Sequence, residues 1–308
     1  MYRYVFGPVI SRRFGLSLGI DLSPDKKSCN FDCLYCELER AKPANRIELE
    51  PDPEDIVKEL SDWLSKNSYP DVITITANGE PTLYSRLEEL IERVNTIKGS
   101  SKTLILSSGS MIGNVNVRGA LKKFDIVKLS LDAADQKTFE KIDRPLKGIE
   151  VEKLIESMVS FRREYRGTLV LEVLVVANVN DREEVIQKVV EACRRIQPDR
   201  VDISTVDRPP AYRVKPVSNQ RLYNLSKLFE GLNVNVAVRK DGGDVTKIHL
   251  DKDDIIHTFK NRAYTYSDIE HLFDECTKRS ISQLLSEGIL MEISVGNLNF
   301  VKAKSLTS

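Results

Sequence analysis

Residues 168–206 read TLVLEVLVVANVNDREEVIQKVVEACRRIQPDRVDISTV, two apolar, β-branched runs (168–179 and 200–206) around an amphipathic stretch at 182–196. The outer runs lack strict polar–apolar alternation, as expected of strands buried on both faces of a parallel sheet. Between them apolar residues recur at i, i+3 and i+4, the spacing of one helix face. Strand, helix, strand is a βαβ unit, and parallel neighbours need such a crossover, which is right-handed. The same grammar extends on the N-terminal side. VITITA (72–77), TLILSS (103–108) and DIVKLSLDA (125–133) read as strands, with LSLGIDL (16–22) as the first of the set. PEDIVKELSDWLSK (53–66), SRLEELIERVNTI (85–97) and VEKLIESMVSFRREY (151–165) read as helices. The fold class is α/β, either an open doubly wound sheet or a barrel, with binding loops at the C-terminal ends of the strands. Periodicity alone does not choose between the two.

With 41% hydrophobic and 30% charged residues, the 308-residue chain has the profile of a globular protein that buries a full core, which excludes disordered and collagen-like classes. It contains no run of eighteen apolar residues, and its opening MYRYVFGPVISRRFGLSLGI lacks the apolar stretch and cleavage site of a secretory signal. A cytoplasmic protein with no membrane partner is expected. The 46 basic and 46 acidic side chains cancel, so any nucleic-acid or anionic partner needs a local patch.

After DGGD (241–244) the grammar changes to helices without intervening strands: DKDDIIHTFKN, YTYSDIEHLF and CTKRSISQLLSEG, then two short β runs around Gly296 and Asn297. The division expected is a core domain at 1–245 and a small α+β domain at 246–308. Three helices and a hairpin with a Gly-Asn turn resemble a winged-helix module over about 250–304. That stretch holds nine acidic side chains against seven basic, too little positive charge for duplex DNA, so protein contact or packing on the core is expected.

Three of the five cysteines fall within eight residues, as Cys29-Asn30-Phe31-Asp32-Cys33-Leu34-Tyr35-Cys36. Disulfide frameworks belong to short secreted domains, so metal binding is the better reading. A zinc site would need a distant fourth ligand: Cys193, Cys276 or one of His249, His257 and His271. An iron–sulfur cube held by three cysteines instead keeps one iron open to a reactant.

The C-x3-C-x2-C spacing with an aromatic residue before the last cysteine resembles the signature of the radical S-adenosylmethionine (SAM) superfamily. The resemblance implies a partial, open parallel β/α barrel. It implies that Cys29, Cys33 and Cys36 bind a [4Fe–4S] cluster, whose fourth iron chelates SAM. Reductive cleavage of SAM then yields a 5′-deoxyadenosyl radical that takes hydrogen from substrate. Tyr35 would lean toward the adenine. Asn78-Gly79-Glu80-Pro81-Thr82, directly after the strand VITITA, is similar to the family's GEP motif, which places Gly79, Glu80 and Pro81 at the methionine end of SAM. Ser107 and Ser108, Asp132 and Glu172 correspond to positions that face SAM or substrate. A carboxylate inside a buried strand needs a partner, so Glu172 is expected to point into a polar interior.

The opening Phe6-Gly7-Pro8-Val9-Ile10-Ser11-Arg12-Arg13 through Asp21, with LDAADQKTFEKIDRP (131–145) and STVDRPPA (204–211), resembles a subgroup filed beside the wyosine-forming tRNA enzymes. Arg12 and Arg13 suit bidentate contact with a substrate phosphate or carboxylate, or else backbone carbonyls near the cluster, while Arg208, before the stiff Pro209-Pro210, suits contact with the reactant, or else a rigid surface turn. No second cysteine group follows residue 36 and nothing resembles a cobalamin domain, so one cluster is expected, reduced by a flavodoxin or ferredoxin-type donor. The expected activity is a radical SAM oxidoreductase acting on a macromolecule such as tRNA or a protein. The competing class is an iron–sulfur redox sensor reporting through its winged-helix domain. Because the cysteines, the GEP turn and the parallel strands all precede it, the C-terminal domain is expected to be dispensable for SAM cleavage.

Overall fold

The computed structural model describes residues 2–11, 13–236, 247–261, 263–295 and 298–304. Ten helices and eleven strands are described. In chain order they are β1 (Val5–Ser11), β2 (Gly15–Asp21), α1 (Pro53–Lys66), β3 (Val72–Thr76), α2 (Leu87–Ile97), β4 (Lys102–Ser107), α3 (Val115–Leu121), β5 (Ile126–Ser130), α4 (Gln136–Ile142), α5 (Val151–Glu164), β6 (Thr168–Val175), α6 (Glu183–Ile196), β7 (Arg200–Thr205), α7 (Asn219–Ser226) and β8 (Val234–Val236). There follow α8 (Lys252–Asn261), β9 (Tyr264–Thr265), α9 (Tyr266–Leu272), α10 (Glu275–Ser286), β10 (Leu290–Val295) and β11 (Leu298–Ala303).

Strands β1 to β8 form one sheet in strict chain order, antiparallel between β1 and β2 and parallel from β2 onward. That order settles what periodicity left open. A doubly wound sheet reverses its strand order at a switch point, whereas sequential right-handed crossovers put every helix on one face and curl the sheet about the other. Among the described residues β8 does not pair with β1, so the barrel is open. The outer face is aliphatic: Ile73, Ile75, Ile105, Val127, Leu129, Leu171, Val173 and Ile203 are fully buried under the helices. Inside, Val72, Leu104, Ile126 and Val170 pack with Phe14. The inward Lys128, Glu172 and Asp202 break the apolar runs of β5, β6 and β7.

The structure corrects the N-terminal reading. LSLGIDL forms the second strand, because FGPVIS before it pairs antiparallel with it as β1. Gly19 permits this pairing, since a β-carbon there would lie 2.2 Å from the ring of Phe6. The hairpin tip crosses to β7, where the Arg200 guanidinium stands 5.0 Å over the Phe14 ring.

The C-terminal helices α8–α10 cover a three-stranded antiparallel sheet in the order β10-β11-β9. Their core, built on Ile255, Phe259, Tyr264, Phe273, Leu284 and Val301, takes in Val9 of β1. Gly7 N donates to Thr258 Oγ1 at 3.3 Å, so this module is docked on the hairpin. The DGGD segment, the 245/246 boundary and the Gly296-Asn297 turn lie outside the described residues.

Candidate functional site

The cysteine loop leaves the C-terminal end of β2 at Asp21. The buried Asp21 carboxylate accepts from Ser23 N at 2.9 Å and Asn78 N at 2.7 Å, joining the loop to the turn after β3. Two more bonds complete the join: Ser28 N donates to Asn78 O, and Glu80 N to Ser28 O, each at 2.9 Å. Gly79 sits between them with φ +138°, and a β-carbon there would lie 1.9 Å from Ser28 O. Only glycine meets both the backbone conformation and the contact. The GEP turn thus rests directly on the loop that carries the cysteines.

Glu80, 1% exposed, aims its carboxylate at the end of β4. Oε1 accepts from Thr82 N at 2.9 Å, Thr82 Oγ1 at 2.5 Å and Ser107 Oγ at 2.7 Å, and Oε2 accepts from Ser108 N and Ser108 Oγ, both at 2.7 Å. Gly79, Glu80, Ser107 and Ser108 are therefore brought together. The hydroxyls of both serines donate to Glu80. Pro81 opens the buried 3₁₀ turn Pro81–Leu83.

Cys29, Cys33 and Cys36 are half-buried and unpaired. Ala44 N closes the loop back onto Cys29 O at 2.7 Å, and Cys36 N donates to Cys33 O at 3.2 Å. Phe31 N approaches Cys29 Sγ, and Lys27 Nζ approaches Cys36 Sγ, at 3.4 Å each; such donors to sulfur tune iron–sulfur sites. Burial pushes the Cys29 thiol up to about 12, and burial together with Asp143 raises Cys33 well above the usual thiol value. The bare Cys29 and Cys33 thiols therefore hold their protons at neutral pH, and metal binding must displace them.

Two segments grip the loop from behind. From the α4 side, Leu34 N donates to Ile142 O at 2.9 Å and Leu146 N to Asn30 O at 2.7 Å. From the segment after β7, Ala211 N donates to Cys36 O at 2.8 Å and the Tyr212 hydroxyl to Asp32 Oδ2 at 2.7 Å. Arg144 also pairs with Asp32 at 2.9 Å. The runs IDRP and DRPPA are thus the walls of the cysteine loop.

The Tyr35 hydroxyl donates to Asp132 Oδ2, while Asp132 Oδ1 accepts from Leu174 N at 2.7 Å. Burial pushes Asp132 up to about 7, and burial followed by the neighbouring Asp132 charge raises Asp143 well above the carboxylate range. Cys33 Sγ lies 3.5 Å from Asp143 Oδ1. Sequence reading missed Asp143, Asp21 and Tyr212. Asp143 stood inside a quoted motif, but its burial follows from the loop folding over it.

Three candidate residues pair with charges of the same chain. Arg13 is in the hairpin at the N-terminal end of β2, a seven-residue strand or roughly 20 Å from the cysteine loop. Its Nη1 lies 2.6 Å from Glu172 Oε1 and its Nε 3.4 Å from Asp202 Oδ2; Lys128 Nζ lies 2.8 Å from the same Glu172 oxygen. Arg13 and Glu172 thus form a buried ion cluster inside the barrel, because the hairpin tip folds across its lower end. Glu172 does point into a polar interior, but toward these cations. Arg208 Nη1 holds Glu37 Oε1 and Oε2 at 2.7 and 3.0 Å, so its guanidinium supports the cysteine loop. Arg12 lies outside the described residues.

The donor set fits an iron–sulfur cluster better than zinc. Cys193 is buried in the core under α6, Cys276 is exposed on α10, and the histidines are all in the C-terminal module, where His249 pairs with Asp274 and His271 Nδ1 bonds Ser267 O. Among the described residues no group of three or more His, Cys, Asp or Glu side chains is arranged to hold a metal ion, the three thiols included, so no distant zinc ligand joins them.

Residues 26–190 match the Radical SAM superfamily. The chain belongs to the radical SAM superfamily. It is 40% identical over 297 residues to a UPF0026 protein of Helicobacter pylori, covering 96% of each chain. Its fold is similar to that of a radical SAM methyltransferase from Sphaerobacter thermophilus (TM-score 0.56, 15% identity, 72% of this chain and 66% of that one). It is also similar to TYW1 with a lysine-pyruvate adduct bound (TM-score 0.51, 18% identity, 70% and 74%). Radical SAM proteins use a [4Fe–4S] cluster and SAM, so these are the chain's cofactors. Membership of the superfamily supports an enzyme and not the redox-sensing regulator. No helix among the described residues is long and apolar enough to cross a membrane.

Proposed function

We propose that this chain is a cytoplasmic radical SAM oxidoreductase in which Cys29, Cys33 and Cys36 ligate the cluster and the Gly79–Pro81 turn receives the methionine end of SAM. The observation that carries this reading is the Ser28–Gly79 backbone contact, which holds the turn against the loop bearing the three thiols. When bound, the cluster and SAM supply a reductively generated 5′-deoxyadenosyl radical. The chain's part is to hold and orient. Glu80, saturated by Thr82, Ser107 and Ser108, fixes the shape of the turn and of the β4 end, leaving backbone groups there to meet SAM. Tyr35, tied to Asp132, forms the adenine side. Burial works against the Glu172 charge, but Lys128 and then Arg13 hold its pKa down at about 2, so the barrel interior keeps an ionised carboxylate.

We further infer that the substrate is macromolecular, tRNA or a protein, that electrons come from a flavodoxin or ferredoxin-type donor, and that the C-terminal module is winged-helix-like. Three helices on a three-stranded sheet support the last point. The test is to reconstitute the protein anaerobically with iron and sulfide, reduce it and measure 5′-deoxyadenosine release from SAM. Alanine at any of the three cysteines should abolish the cluster's visible absorbance and this release. Wild-type iron content in a triple Cys→Ala variant would refute the assignment.

A further inference from the structure

Lys302, on β11 of the C-terminal module, reaches out of that module to the cysteine loop, where its ammonium donates to the backbone carbonyl of Glu37 at 2.8 Å. Glu37 immediately follows Cys36. Its carboxylate takes Arg208 Nη1 at 2.7 and 3.0 Å, and Cys36 O accepts from Ala211 N at 2.8 Å. Two consecutive residues at the end of the cysteine motif are thus held by three groups from two remote parts of the chain. The module does not need this contact to stay in place, because Val9 sits in its core and Thr258 and Asp254 bond the N-terminal segment. Both side chains of the Glu37–Arg208 pair are largely shielded, at 32% and 27% exposure, so the pair is less screened than one on the surface. Ala211 fixes the 36–37 peptide and the charge-assisted bond from Lys302 fixes the 37–38 peptide, so Glu37 is held on both sides and with it the direction in which Cys36 leaves the chain, as outer partners of metal ligands do.

We propose that Glu37 is a positioning residue through which the C-terminal module, by Lys302, and the segment after β7, by Arg208, set the seating of Cys36. This rests on the reading that Cys29, Cys33 and Cys36 hold the cluster. The module then takes part in shaping the site that binds SAM, which departs from its expected dispensability for SAM cleavage. Coupling of this kind is reciprocal, so loading the cluster also tightens the β11 contact.

The test uses the full-length chain, loaded anaerobically with iron and sulfide. Lys302→Met removes the ammonium and keeps the stem; Lys302→Arg restores a cationic donor. Iron content, SAM affinity and the electron paramagnetic resonance spectrum of the reduced cluster with and without SAM are compared. Lys302→Met is expected to retain iron, weaken SAM binding about fivefold, the lower end of typical coupling between sites, and alter the SAM-dependent spectrum. Lys302→Arg should recover both. Parent-like affinity and spectrum in Lys302→Met overturn the proposal. Should that variant fail to fold, hydrogen exchange on the unmodified chain decides: residues 298–304 gain protection on cluster loading, and unchanged exchange there overturns the coupling. A parent chain that binds no cluster refutes the functional reading itself, a result distinct from both.

Discussion

Gly79 and Ser28 touch backbone to backbone: a β-carbon at residue 79 would stand 1.9 Å from the Ser28 carbonyl oxygen, and Gly79 holds φ +138°. Gly79→Ala must move the turn off the cysteine loop. The expected cost is about 2 kcal/mol or more, from the strained conformation and the displaced contact together. Urea unfolding measures it, and iron retention after reconstitution should fall as well. A variant with parental stability and iron content would mean that the two segments are not in contact.

Glu80→Gln replaces an acceptor-only carboxylate, surrounded by five donor contacts, with an amide that presents N–H to some of them. Leaving a buried donor unmatched costs about 1–3 kcal/mol. The β4 end should loosen and SAM affinity drop, which equilibrium binding to the reconstituted protein reports. Parental affinity in this variant would show that Glu80 does not shape the SAM site.

Glu172→Gln removes the anion between Arg13 and Lys128 and is expected to cost about 3 kcal/mol near pH 7, the penalty of stranding buried cations. The folded-state pKa of about 2 lies below the unfolded value near 4.3, so the parent's advantage is present above pH 4 and is lost as pH falls toward 2. Unfolding curves of parent and variant should therefore converge at low pH. A stability gap that is the same at pH 7 and pH 3 would contradict the ion cluster.

Asp21→Asn should behave with the opposite sign. Burial pushes the Asp21 carboxyl up to about 6, against the pull of the Ser23 and Asn78 amides, and its Oδ2 has no hydrogen-bond partner. The folded form thus holds its proton more tightly than the unfolded chain does, and that contribution is lost as pH rises from about 4 through 6. The variant's stability relative to the parent should rise by about 2 kcal/mol between pH 4 and pH 7. A flat difference over this range would show that Asp21 titrates normally.

The helices at 53–66, 85–97, 151–165 and 182–196 and the strands from 72 to 206 were legible to within a few residues, because amphipathic spacing and β-branched runs are local properties. The short α3, α4 and α7 and the three-residue β8 were not, since each has too few turns or residues to show a period. β1 was overlooked for a different reason. FGPVIS carries a glycine and a proline, and it forms a strand only because Phe6 can lie over Gly19 in its partner.

At the site, local chemistry spoke for the cysteines and the GEP turn: three thiols on one loop and a glycine after a strand are read from adjacent letters. It could not say where the charged residues would go. Arg13 and Glu172 are 159 positions apart, Glu37 and Arg208 are 171, and Lys302 and Glu37 are 265. Each side chain alone offers a donor or an acceptor, and in isolation Arg13 and Arg208 are as suited to a substrate anion as to a carboxylate of the same chain. The sequence by itself determined the α/β alternation and the three-thiol loop, because those depend on spacing along the backbone, and its resemblance to a known family supplied the cofactor chemistry. The tertiary structure decided the barrel over the doubly wound sheet, the ion cluster across its lower end and the grip of the C-terminal module on Glu37, because long-range pairing depends on which strands become neighbours and which charges are thereby removed from water.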